Sequence, residues 1–232
     1  MKVDDGDEPE PSGSVQFEQD APPIELTWQA KAPGFLLCGL IVLAWLSYLP
    51  RGMVMLDWAV SAEQLRSGEF RNVPLHMFAH AGIVHLLMNS LVLISIAGSI
   101  QYRIGADPVG WLRFLGFYFL AGLAGLLLFL AFNPYSSVPM LGASGAIYGL
   151  IGFMVRWPPA EAEPGPLFSK QTRTGGIEFV KDNVLLIVLL TLPALLSGGG
   201  GGVAWEGHLG GFLFGLLAAP WFGKRHDPSG HS

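Results

Sequence analysis

The stretch Ser144-Gly145-Ala146-Ile147-Tyr148-Gly149-Leu150-Ile151-Gly152-Phe153-Met154-Val155-Arg156-Trp157 decides the fold. It is an apolar helical run of 14 residues, closed by an arginine and a tryptophan. At about 1.5 Å per residue it reaches about 21 Å, too short to cross about 30 Å of hydrocarbon. The preceding residues, 133–143, therefore have to dip into the bilayer to meet it. Non-helical backbone is tolerated at that depth only against protein or a water-filled cavity. The sequence thus predicts a helix that starts mid-membrane, with the Ser144 hydroxyl on the floor of a wet cavity.

Five further apolar segments flank this one, at residues 33–49, 81–100, 111–132, 183–197 and 203–222. The chain of 232 residues is 51% hydrophobic and 13% charged, with a mean hydropathy of +0.45. That balance excludes an ordinary soluble domain and suits a polytopic membrane protein. The 31 glycines suit closely approaching membrane helices. The expected fold is an all-α polytopic membrane protein, a bundle of six transmembrane helices with a short fourth. Residues 1–30 read as a disordered acidic cytoplasmic tail, 31–223 as the membrane domain and 224–232 as a polar cytoplasmic tail. The single Cys38 excludes an intramolecular disulfide.

Lysine and arginine placement sets the orientation. With the N-terminus inside, the inner connections carry Arg103, Arg113, Arg156, Lys170, Arg173 and Lys181, and the tails add Lys2, Lys31, Lys224 and Arg225. Outside lie only Arg51, Arg66 and Arg71. The bias puts both termini in the cytoplasm. On this orientation segments two, four and six all run inward. His85 to Ile100, Ser144 to Trp157 and His208 to Trp221 count 16, 14 and 14 residues. All three polar residues then sit at one level, about 20–24 Å above the inner boundary.

A serine hydroxyl becomes a competent nucleophile only beside a base. His208 is the one histidine in segments four to six, so it is the natural base. The two helices must approach closely, and glycines repeat at four-residue spacing on both: Gly145 and Gly149, then Gly207, Gly211 and Gly215. His85 and Asn89 lie four apart, on one helix face, and offer oxyanion donors together with the Ser144 N–H, unpaired at its helix start. The Tyr148 ring, one turn after Ser144, is placed either to pack on His208 or to fill the core. Glu206 points to a different side of its helix from His208 and reads as an interfacial charge, so the expected unit is a Ser–His dyad.

Together these residues resemble the rhomboid family of intramembrane serine proteases, over residues 33–222. The likeness rests on Gly142-Ala143-Ser144-Gly145 with Tyr148, on the His85/Asn89 pair with His80 upstream, and on His208 with Gly211 and Gly215. It implies a Ser144–His208 dyad, with His85, Asn89 and the Ser144 N–H on the oxyanion and Gly142, Gly145, Gly211 and Tyr148 in support. It further implies substrates that are transmembrane segments of other proteins, membrane lipid as the surrounding partner, no nucleic acid, and no metal or organic cofactor. The basic six-helix form is the one found in prokaryotes, which implies an inner (plasma) membrane location. In rhomboids the fifth helix and the loop after it gate substrate entry; here that loop is residues 198–202, five glycines. The first outer loop, 53–77, fits the family's partly embedded loop.

Taken singly, each residue has a plainer role. Ser144 is a packing or cap serine, His208 a packing or proton-pathway group, and His85 and Asn89 hydrogen-bonding partners between helices. His76 and His80 organise the first loop. The alternative function is a non-catalytic rhomboid-like pseudoprotease that binds membrane helices. A transporter is disfavoured, because the inner thirds of segments two, four and six are nearly all apolar.

Overall fold

The structure, a computed structural model, describes residues 26–159, 161–188 and 202–224. The acidic tail before residue 26, the five-glycine loop apart from Gly202, the end of segment five and the polar C-terminus lie outside the described residues. What is described is helical, with one isolated bridge pairing Val60 and Met140. Eight α-helices follow in order: α1 Trp28–Tyr48, α2 Ala62–Arg66, α3 Asn72–Leu75, α4 Ile83–Ile104, α5 Pro108–Phe132, α6 Ser144–Arg156, α7 Lys170–Leu186 and α8 Trp205–Phe222. Among the described residues, three segments are long and apolar enough to cross a membrane: Trp28–Arg51, Ile83–Ile104 and Pro108–Phe132.

Local chemistry sets several boundaries. Thr27 caps α1 by accepting from the Ala30 N–H. Asp107 caps α5 through the Gly110 N–H at 2.7 Å, with Pro108 at the first helical position. Ser169 caps α7 through the Thr172 N–H at 3.1 Å. In the first outer loop, Ser61 and Gln64 form a reciprocal capping box on α2. That loop is tied down by Asn72, whose amide donates to the Asp57 and Ala59 carbonyls at 2.9 and 2.8 Å.

Helices α5, α6 and α8 pack on one another, and absent side chains are what let α6 approach the other two. A Cβ on Gly211 or Gly215 of α8 would overlap the carbonyl oxygen of Gly145 or Gly149 of α6. A Cβ on Gly149 would in turn overlap Ala121 of α5. Backbones this close gain dispersion and weak polar contacts that larger residues would prevent. Around this seam lies an apolar core that includes Leu93, Phe114, Phe117, Ala146, Leu150 and Phe153.

At one end the helix termini are clasped by charge. Arg103 is buried, donates to the carbonyls of Pro158, Pro159 and Glu161, and lies 5.2 Å over the Trp157 ring. The Lys224 N–H donates to the Arg103 carbonyl at 2.8 Å, and its ammonium pairs with Asp107. The ends of α4, α6 and α8 and the start of α5 are thereby gathered together. From that end α6 reaches only about three fifths as far as α4, with 13 residues against 22.

Segment five is the main departure from expectation. Its helix starts at Lys170, not at residue 183. Its buried face is narrow, formed by Thr172, Phe179 and Asn183, while Ile177, Val180, Val184 and Leu185 face outward.

Candidate active site

Helix α6 begins at Ser144 with Ala143 as its cap residue. The Ser144 hydroxyl is therefore free of capping duty, and its N–H belongs to the first turn, where no intrahelical carbonyl can reach it. Gly142 enters the turn at φ +121°, a region that favours glycine, and its N–H donates to the His76 carbonyl at 2.8 Å. The outer loop thus holds the turn from behind.

The Ser144 Oγ lies 2.9 Å from His208 Nε2. His208 is 5% exposed, whereas Ser144 is half-buried, so the pair is approached from the serine side. The Tyr148 ring stacks on the imidazole with centroids 4.4 Å apart and planes at 29°. Phe179 of α7 meets Tyr148 edge-on at 5.4 Å and stacks on Phe212 of α8 at 4.4 Å. The imidazole is thereby backed by rings from three helices.

On the other side of Ser144 stands His85. A Cβ added to Gly142 would fall 2.9 Å from His85 Nε2 and 3.6 Å from Ser144 Oγ, so only glycine leaves room for both. The Ala81 N–H donates to His85 Nδ1 at 3.4 Å. Nδ1 is then the acceptor, and Nε2 carries the proton on the side of Gly142 and Ser144. Asn89, one turn further along α4, donates from its amide to His80 Nε2 at 3.0 Å. His80 Nδ1 donates to the Phe78 carbonyl at 3.2 Å. One Asn89 N–H is thus fixed by His80, which leaves the second N–H of the same amide available.

Ser144, His208, Tyr148, His85 and Gly142 come together in space; Asn89 joins them through α4 and His80. Gly145 and Gly211 stand beneath, in the α6–α8 seam. Glu206 accepts from the Asn133 amide at 3.1 Å, away from the His208 ring. His80 does more than organise its loop, because it holds Asn89.

One residue of this constellation escaped the sequence reading. Asn183 of α7 places its Oδ1 2.7 Å from His208 Nδ1, and its Nδ2 donates to the Phe179 carbonyl at 2.9 Å. The available signal was an amide opening an aliphatic run, Val184-Leu185-Leu186, four residues after Phe179.

Among known proteins, the rhomboid domain family model matches residues 67–225, more than half of the chain. Rhomboid protease GluP of Bacillus subtilis (strain 168) is 28% identical over 159 residues, covering 68% of this chain and 27% of its own length. Rhomboid-like protease 3 of Toxoplasma gondii is 29% identical over 172 residues, covering 74% of this chain and 59% of its own. RHOMBOID-like protein 4 of Arabidopsis thaliana is 32% identical over 161 residues, covering 64% and 35%. The chain therefore spans less than two thirds of the length of each of these relatives. The family match and the apolar helices together make this an integral, multi-pass membrane protein. The chain belongs to the rhomboid family.

Proposed function

We propose that this protein is an intramembrane serine endopeptidase that cleaves transmembrane segments of other membrane proteins. The observation that carries the reading is the 2.9 Å approach of Ser144 Oγ to His208 Nε2, made between two helices whose remaining residues are almost all apolar. A half-buried serine in hydrogen-bond contact with a buried histidine supports their reading as a nucleophile and its base. Names of similar proteins in bacteria and a protozoan include the word protease, which agrees with the reading.

The steps follow from the geometry. His208 Nε2 takes the Ser144 proton as Oγ attacks the scissile carbonyl. The negative charge that develops on the carbonyl oxygen meets the Ser144 N–H, His85 Nε2–H and the free Asn89 N–H. His208 then returns the proton to the leaving amine, and water admitted through the exposed side of Ser144 hydrolyses the acyl-enzyme. On this reading the bundle has six spans, to which α1, α4, α5, α6, α7 and α8 each contribute, with both termini cytoplasmic and the cavity open to the outer face. A prokaryotic inner membrane is the proposed location.

The test is covalent labelling. A fluorophosphonate probe should mark the wild-type protein, and Ser144→Ala should remove both the label and the cleavage of a single-span reporter while leaving the melting profile intact. A wild-type protein that neither labels nor cleaves reporters is the pseudoprotease instead.

A further inference from the structure

We infer that Asn183 is a positioning residue for the base, holding His208 in the one tautomer that can accept the Ser144 proton. The inference rests on the serine-protease reading above and deepens it from a pair to a chain of fixed partners. The chain starts at a group with no freedom of role. The Phe179 carbonyl can only accept, so the Asn183 end that lies 2.9 Å from it must be the NH₂. The amide oxygen is then turned toward His208 Nδ1, 2.7 Å away. An oxygen there demands that Nδ1 carry the proton. A neutral imidazole has one N–H, so Nε2 presents its lone pair to the serine hydroxyl 2.9 Å away.

Two further observations separate this from simple helix docking. Asn183 is 5% exposed on a helix whose other faces present Val180, Val184 and Leu185 outward, so the amide is turned into the bundle. Apolar docking of the same helix is already supplied by Phe179, stacked on Phe212 and set against Tyr148. Once His208 has taken the proton, both ring N–H groups have acceptors, Asn183 Oδ1 on one side and the departing oxygen or nitrogen on the other. The amide dipole then steadies the imidazolium on its buried side.

The experiment uses the full chain in detergent, as wild type, Asn183→Leu and Asn183→Asp. Leucine keeps the volume and removes the acceptor; aspartate keeps an acceptor oxygen facing Nδ1. We expect Asn183→Leu to lower both the fluorophosphonate labelling rate and kcat on a reporter by about 10- to 100-fold, with KM within about twofold. Asn183→Asp should recover most of that loss. In wild-type protein, ¹⁵N-histidine spectra, assigned by the signal lost in His208→Gln, should show the proton on Nδ1. Equal labelling of wild type and Asn183→Leu, a loss confined to KM, an aspartate variant no better than leucine, or an Nε2-protonated His208 each overturns the inference alone. Wild-type protein that does not label at all overturns the protease reading, and this inference with it. If the leucine variant does not fold, the wild-type tautomer still decides the matter.

Discussion

Gly211 of α8 lies directly against the carbonyl of Gly145, the residue that follows Ser144, with no space between them for a methyl group. His208 stands one turn before Gly211 on the same helix, so this contact sets how near the imidazole comes to the hydroxyl. Gly211→Ala should push the helices apart and destabilise the protein by about 1–3 kcal/mol, as overpacking does. Gly116→Ala is the contrast. Gly116 lies inside α5 with nothing within 4 Å of an added Cβ, so alanine there should be neutral or stabilising by up to about 1 kcal/mol. Thermal melts of both variants in one detergent check the pair.

Asn89→Ala should lower kcat by about 10²–10³-fold if its free N–H serves the oxyanion. His80→Ala should produce part of that loss, because it releases the amide that His80 now orients. Steady-state kinetics on a single-span reporter separate the two. Unchanged kcat in Asn89→Ala removes Asn89 from the site.

Acid should weaken the fold through the first outer loop. Burial pushes His76 down from 6.5 to about 4, and burial with the neighbouring His85 does the same to His80. Protonated His80 would also turn an Nε2–H toward the Asn89 amide donor. Both folded values lie below the unfolded one, so the unfolded chain binds protons first. Their contribution is complete above pH 6.5, falls between 6.5 and about 4, and changes no further below. Each shift amounts to about 3 kcal/mol. Melting midpoints against pH should drop across that window, and less so in His76→Gln.

Asp107 has a separate window. Its ion pair with Lys224, then the Gly110 N–H, hold its carboxyl below the usual 3.8. The stabilisation is present above that value and is lost as pH falls through the folded one. Asp107→Asn keeps a capping oxygen and loses the ion pair; Asp107→Ala loses both. Melting midpoints should fall in the order wild type, asparagine, alanine, and salt should narrow only the first gap.

Hydropathy and spacing located α6 from its first residue, because a serine there opens an apolar run. They located α4, α5 and α8 to within a few residues, and the glycine spacing foretold the α6–α8 contact. Helix α7 was half hidden. Its first turns carry Lys170, Arg173, Glu178, Lys181 and Asp182, which hydropathy reads as a loop. Its start was written in the Ser169 cap instead. Ser144, His208 and His85 were singled out by a one-dimensional count along three segments, and in the fold they do stand together. Asn183 was not, since its meaning depends on which face of α7 turns inward, and that is decided by Phe179 meeting Phe212.

The shortness of α6 has a consequence for where a guest chain would be cut. Trp157, buried beneath Arg103 and touching Gly223, moors the foot of α6 at the charged end of the bundle. The 13 residues above it then act as a ruler. Under the protease reading, the scissile bond is selected by elevation as much as by side chain: a guest must lose its own helical hydrogen bonds at that height, whatever its letters elsewhere. Adding one helical turn to α6 would raise the mark by about 5.4 Å and move the cut along the guest accordingly.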